Sequence, residues 1–97
     1  MRVRLADRKL ERLETDPVYT GGFGQNIVKA FRKVMAIIRN AADERDFYAL
    51  KSLHYERLKG RRSHQHSMRL NQQFRLIVEE ERDNGKVIFI VGIEDYH

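Results

Sequence analysis

The sequence predicts an α+β domain in which two N-terminal helices pack on one face of a small, mainly antiparallel β-sheet. Three observations support this fold class. Apolar residues in the first half of the chain recur at helical spacing, the second half alternates polar and apolar residues, and Asn84-Gly85 marks a tight hairpin between two β-prone runs. With 97 residues, of which 41% are hydrophobic, we expect a single domain with one core over residues 1–97.

The first half of the chain is predicted to hold a short strand followed by the two helices. Residues 2–6 alternate polar and apolar side chains, which indicates the strand. Asp7 is a typical N-cap, and Asp16-Pro17 should end the first helix because proline restricts the residue before it. The second helix is predicted over residues 24–42. Its apolar face comprises Ile27, Val28, Phe31, Val34, Met35, Ile38 and Ala42, and its basic face Lys29, Arg32, Lys33 and Arg39.

The second half of the chain is predicted to be mostly strands. A short helical turn near residues 47–50 leads into an extended piece at 54–58. From Gln65 the apolar spacing changes to two, which predicts strands near 66–71, 74–78 and 87–93. Because the helices occupy one face of this sheet, the opposite face should be free to carry a site.

Positive charge is concentrated in one quarter of the chain. The formal net charge is +5 and the pI is near 9.8, yet residues 51–75 alone hold seven Lys or Arg against one acid, Glu56, a local charge of +6. Such a segment attracts polyanions, so we expect contact with phosphates, although a charged run can also be just a solvated face. Its basic stretch comprises His54, Lys59, Arg61, Arg62, His64 and His66.

Several function classes are disfavoured. The chain has no Cys, no signal-peptide pattern and no apolar run long enough to span a bilayer, so we expect a cytoplasmic protein that does not contact membranes. His64 and His66 lack a neighbouring carboxylate, which argues against a metal site. Residues 21–24 are glycine-rich but lack the Lys and Ser or Thr of a phosphate-binding loop. We therefore expect no cofactor.

Two features are candidates for chemistry. Arg69 and Arg75 flank a predicted turn, so adjacent strands can bring the two guanidinium groups together on a phosphate. Alternatively, both are surface arginines or form salt bridges with Glu79, Glu80, Glu81 or Glu94. Tyr96-His97 can exchange protons near neutral pH. Chain ends often fray, but the apolar run before this pair should hold it to the sheet.

Three segments carry a resemblance to a known family. Leu58-Lys59-Gly60, the run of residues 67–76 and the final residues 93–97 resemble, in order and spacing, the HigB branch of the RelE-type toxins, the killer proteins of plasmid-maintenance systems. The resemblance implies an endoribonuclease that cuts messenger RNA in the ribosomal A site. It also implies attack by the RNA's own 2′-OH without a metal ion, and a helix-turn-helix antitoxin of the HigA type that inactivates the toxin and links it to operator DNA.

The resemblance also implies a role for each candidate residue. His97 is the leading proton carrier, as acid or base, and Tyr96 orients it or stacks on a base. Arg69 and Arg75 bind the scissile phosphate, and Lys59 adds positive charge there. The peripheral candidates are His54 as a second proton carrier, and Arg61 and Arg62 as contacts to the ribosomal RNA backbone.

Two other functions remain open from the sequence. A non-catalytic basic module would bind RNA or the ribosome by charge alone, with affinity that falls steeply with salt. A weakly active toxin would instead act mainly within an antitoxin-bound, DNA-binding autoregulatory complex.

Overall fold

The computed structural model describes residues 1–96 and confirms the α+β fold class with a mainly antiparallel sheet. The helices are α1 (Arg8–Thr15), α2 (Gln25–Asn40) and α3 (Arg45–Ala49). The strands are β1 (Arg2–Leu5), β2 (Glu56–Arg57), β3 (His66–Arg69), β4 (Phe74–Arg82) and β5 (Lys86–Asp95). Short 3-10 turns occupy Lys51–Leu53 and Gly60–Arg62. Within residues 1–96, no helix is both long and apolar enough to cross a bilayer.

The five strands form one sheet in the order β1-β5-β4-β3-β2. Strands β2 to β5 pair antiparallel, whereas β1 pairs parallel with β5 and places Arg2 opposite Val87. The hairpin between β4 and β5 turns at Asn84 and Gly85, which both have positive φ, as the predicted two-residue turn requires. The N-terminal strand was predicted, but its partner was not.

Capping at both ends of α1 explains its bounds. The Asp7 side chain accepts a hydrogen bond from the backbone N–H of Leu10 at 3.0 Å, which confirms the predicted N-cap. At the other end, Arg32 of α2 donates to the carbonyl oxygens of Leu13 at 3.0 Å and Asp16 at 2.8 Å. Arg32 was expected on the basic face of α2, but it instead satisfies terminal carbonyls of α1 and ties the two helices together.

Helix α2 ends two residues earlier than the spacing predicts. Its C-cap, Ala41, has extended backbone angles and is buried, whereas Ala42 is exposed. The expectation that Ala42 belongs to the apolar face was therefore wrong, because the chain leaves the helix one residue before it. The hydrophobic core includes Val28, Phe31, Met35 and Ile38 from α2, and Met68, Leu76, Val78, Ile88 and Ile90 from the sheet.

A bulge in β5 keeps the sheet's apolar residues on the helix side. Ile77 pairs with Gly92 and Val78 with Ile90, so Val91 has no partner in the β4–β5 register. Ile90 and Ile93, three residues apart, both contact the core as a result. We call the sheet surface opposite the helices the open face.

Candidate functional site

Three charged residues form a row across the open face. Arg69 of β3 lies in register with Arg75 of β4, and Arg75 lies in register with Glu94 of β5. The sequence neighbours of these three residues, Met68, Leu76 and Ile93, contact the core. Because side chains alternate along a strand, the charged row therefore lies on the open face. Directly opposite residues of an antiparallel pair have Cβ atoms about 5 Å apart. The structure thus brings together the two arginines that the sequence singled out.

The turn that joins β3 to β4 sets this register. The Asn71 side-chain oxygen accepts hydrogen bonds from the backbone N–H groups of Gln73 at 2.8 Å and Phe74 at 2.7 Å. An Asn side chain that bonds to the backbone in this way stabilises a tight reversal of the chain. Asn71 therefore fixes which residue of β4 lies opposite Arg69.

The guanidinium group of Arg75 has no ion-pair partner among residues 1–96. Its Nε and Nη1 atoms are buried and make no hydrogen bond there, while its Cζ lies 5.1 Å from the centre of the Tyr96 ring. The acids expected to neutralise it bind other groups. These pairs are Glu79 with Gln65, Glu80 with Tyr55, Glu81 with Arg4 and Glu94 with Arg62. The alternative in which a neighbouring acid neutralises Arg75 is not what the structure shows.

The chain is anchored to the sheet as far as Tyr96. The backbone N–H of Tyr96 donates to the Gln73 carbonyl at 2.6 Å, and the Gln73 side chain donates to Asp95 at 3.1 Å. The Tyr96 side chain nevertheless remains half exposed. His97, the leading proton carrier predicted from the sequence, lies outside the described residues.

Arg62 links the loop between β2 and β3 (residues 58–65, here called the basic loop) to the row on the open face. Its Nη1 and Nη2 atoms lie 2.9 and 2.7 Å from the two carboxylate oxygens of Glu94, and its Nε atom donates to Gln65 at 2.9 Å. The hydrogen bond with Glu94 raises the pKa of Arg62 above its ordinary value. Sequence reasoning identified Arg62 only as a ribosomal RNA contact and missed this ion pair, because 32 residues separate the partners.

Within residues 1–96, no hydrogen bond or ion pair links the other predicted site residues, Lys59, Arg61 and His54, to this row. Lys59 and Arg61 are exposed, and neither side chain has a hydrogen bond or ion pair within residues 1–96. His54 is exposed and adopts a left-handed conformation just before β2. Strands β3 and β4 separate β2 from β5, a distance of about 14 Å at the usual strand spacing. His54 thus approaches the site from the far edge of the sheet.

His66 does not contribute to the basic surface as expected. It is 4% exposed, its ring stacks on Tyr55 with centroids 4.6 Å apart, and its Nε2 atom is 3.6 Å from a carboxylate oxygen of Glu80. Burial lowers the pKa of His66 below 6.5, and the nearby Glu80 opposes this shift only in part. The lowered pKa favours the neutral form of the ring. Burial and the hydrogen bond to Glu80 raise the pKa of Tyr55.

No group of three or more potential metal-ligating side chains gathers within residues 1–96. The expectation that His64 and His66 lack a neighbouring carboxylate was wrong, because their Nε2 atoms lie 3.7 Å from Glu79 and 3.6 Å from Glu80, acids that follow several residues later in the chain.

Solved structures share this fold. A YoeB/ParE toxin from Agrobacterium tumefaciens aligns over the whole of both chains with a TM-score of 0.58 and 13% sequence identity. A chain of a YoeB-YefM complex from Staphylococcus aureus aligns over all of this chain and 97% of its own length, with a TM-score of 0.61 and 20% identity. At such identities the likeness concerns the fold. Comparison with curated protein sequences finds no significant match.

The family follows from a sequence match. The family described as "RelE-like toxin of type II toxin-antitoxin system HigB" matches residues 4–97, which is nearly the whole chain. The chain therefore belongs to the HigB-like toxins, and it is a toxin of a type II toxin-antitoxin system.

Proposed function

We propose that this toxin is a ribosome-dependent endoribonuclease that cleaves messenger RNA without a metal ion. The observation that carries the proposal is the guanidinium group of Arg75, which lies opposite Arg69 and has two nitrogens without a hydrogen bond within residues 1–96. An unpaired cation at a partly buried position is costly, and such groups concentrate at functional sites. A phosphate satisfies a guanidinium group through paired hydrogen bonds, so RNA is a fitting ligand.

The proposed reaction needs a base, an acid and positive charge. A base removes the proton of a 2′-OH, the resulting oxygen attacks the adjacent phosphorus in line, and the bond to the 5′ oxygen breaks as an acid protonates that oxygen. The products carry a 2′,3′-cyclic phosphate and a 5′-OH. Arg75 and Arg69 would stabilise the charge of the phosphorane, with Lys59 adding to the local potential. His97 is the proposed proton carrier.

Tyr96 supplies a surface for a base. Its ring packs against the Arg75 guanidinium group and is half exposed. When a phosphate binds Arg75, the exposed part of the adjacent Tyr96 ring would stack on a nucleobase. Under this proposal Tyr96 couples phosphate binding to base stacking.

The basic loop and the fold support the proposed partners. Lys59 and Arg61 are exposed cations without partners in the described chain, suited to the ribosomal RNA backbone. His54 would act at the edge of the same site, and the protein would work in the cytoplasm. The YoeB-YefM complex is a solved structure of similar fold. We extend that pairing to this chain as a helix-turn-helix antitoxin of the HigA type, which would bring the complex to operator DNA.

Primer extension on messenger RNA, with and without ribosomes, tests the proposal. We expect cleavage by the parent protein only with ribosomes, and a loss of at least about 100-fold for Arg75→Ala and for His97→Ala. Arg4→Ala is the matched control, because Arg4 also lies on the open face but already pairs with Glu81 at 3.0 Å. A 2′-deoxy substitution at the cleaved nucleotide should abolish cleavage.

Two results would contradict the proposal. Equal cleavage by the parent, Arg75→Ala and His97→Ala would remove the assigned site. Ribosome binding that weakens with salt, without scission by any of the proteins, would instead identify a non-catalytic basic module.

A further inference from the structure

Glu94 is the acid that the sheet places closest to Arg75. The two residues are register partners on the open face of β4 and β5, where side chains directly opposite lie within contact distance. Arg69, on the other side of Arg75, adds like charge to the row. An ion pair between Arg75 and Glu94 would therefore be the expected arrangement. Within residues 1–96, however, Nε and Nη1 of Arg75 have no hydrogen bond.

Arg62 explains why Glu94 is not available to Arg75. It holds both carboxylate oxygens of Glu94, at 2.9 and 2.7 Å, in the two-pronged geometry that orients a carboxylate most firmly. A third contact fixes the guanidinium group, since Nε of Arg62 donates to Gln65, whose amide in turn donates to Glu79 at 3.0 Å. The loop therefore directs Glu94 toward itself and away from Arg75.

We infer that Arg62 is a positioning residue that occupies Glu94 and so keeps Arg75 free for an RNA phosphate. The inference rests on the proposed function and gives Arg62 a role different from direct contact with RNA. When Arg62 is absent, the Glu94 carboxylate is free to turn to the unpaired guanidinium group beside it. A phosphate must then displace an internal carboxylate from Arg75, so the apparent affinity for RNA falls.

The ion pair of Arg62 and Glu94 is partly exposed to solvent, with side chains 45% and 41% exposed. Pairs at such exposure have modest strength, so the expected change is modest too. We expect Arg62→Gln to raise KM for RNA cleavage roughly fivefold, with a smaller change in kcat.

A double-mutant cycle separates positioning from direct contact. In ribosome-dependent cleavage, Glu94→Gln alone should leave KM close to the parent value, and Arg62→Gln/Glu94→Gln should return KM to the value of Glu94→Gln. Arg61→Gln is the matched comparison, because Arg61 is the adjacent loop arginine without a partner among residues 1–96. Glu94→Gln should not rescue Arg61→Gln. If both single variants are rescued equally, or neither is, the inference fails.

A second measurement keeps this test independent of catalysis. In a titration with inorganic phosphate followed by NMR, the Arg75 Nε–H signal of the parent should shift. The same shift should need a higher phosphate concentration in Arg62→Gln. The double variant Arg62→Gln/Glu94→Gln should recover the parent response. Arg4→Gln/Glu81→Gln removes a comparable ion pair from the same sheet face and should leave the titration unchanged. A parent protein that binds phosphate in this way but never cleaves RNA would overturn the proposed function alone, and an Arg62→Gln titration identical to the parent would overturn the inference alone.

Discussion

Replacing Arg75 by Met should abolish the proposed activity and at the same time stabilise the fold. Met has similar length and no charge, so it fills much of the same space while removing the buried nitrogens that lack hydrogen bonds within residues 1–96. Replacing buried charged groups with apolar side chains of similar volume is often stabilising. We therefore expect Arg75 itself to lower the free energy of unfolding relative to Met at the same position.

The magnitude follows from four contributions. Each of the two unsatisfied nitrogens costs about 1 kcal/mol at the lower end of the range for buried polar groups. Removing the charge opposite Arg69 relieves about 0.5 kcal/mol of repulsion. Loss of the guanidinium contact with Tyr96 costs about 0.5 kcal/mol, part of which a methionine sulfur recovers against the same ring. The free energy of unfolding should therefore rise by about 2 kcal/mol, which corresponds to a Tm increase of roughly 8–16 °C for a domain of this size.

Urea unfolding followed by circular dichroism measures this change. Arg4→Met is the control, since Arg4 pairs with Glu81 and lies over the Phe89 ring on the same face, and its loss should leave stability unchanged or slightly lower. An Arg75→Met protein that unfolds at a lower urea concentration than the parent would refute the argument. It would mean that Arg75 is satisfied in solution and is not held in reserve for a ligand.

Two further predictions concern stability. Because burial lowers the pKa of His66 below 6.5, the unfolded state takes up a proton before the folded state does as the pH falls. The free energy of unfolding should therefore fall as the pH drops below about 6.5. His66→Phe keeps the stack on Tyr55 and should reduce this pH dependence when urea midpoints are compared at about pH 7.5 and about pH 5. Arg32→Ala removes two hydrogen bonds to carbonyls at the end of α1 and should lower the free energy of unfolding by about 1–2 kcal/mol in urea titrations. As a control, Lys29→Ala on the exposed face of α2 should change it by less than about 0.5 kcal/mol.

Local patterns predicted much of the fold. Asp7 was identified as a cap from its position alone, and the 3.6-residue spacing located α2 to within two residues of its observed end. Asn84-Gly85 marked the hairpin because few other residue pairs adopt positive φ at both positions. The parallel pairing of β1 with β5 left no local signal, since it depends on residues from opposite ends of the chain.

The site was predictable where it depends on neighbouring strands. Arg69 and Arg75 lie six positions apart around one turn, so strand alternation placed them together. The partner of Arg62 was not predictable, because the loop folds over the open face and meets a strand 32 residues later. His66 was counted among the cations because sequence spacing does not reveal that Tyr55 stacks on its ring. Burial of a single histidine depends on tertiary packing that charge counting ignores.

The pairing of β1 with β5 has a consequence for the order of folding. Arg2 meets Val87, 85 positions later, whereas β4 and β5 meet through a hairpin of a few residues. Closing so long a loop carries a large entropic cost, and contacts of this kind form slowly. We expect the hairpin to form early and β1 to dock late. In local unfolding of the native protein, β1 should therefore detach before the row of Arg69, Arg75 and Glu94 is disturbed.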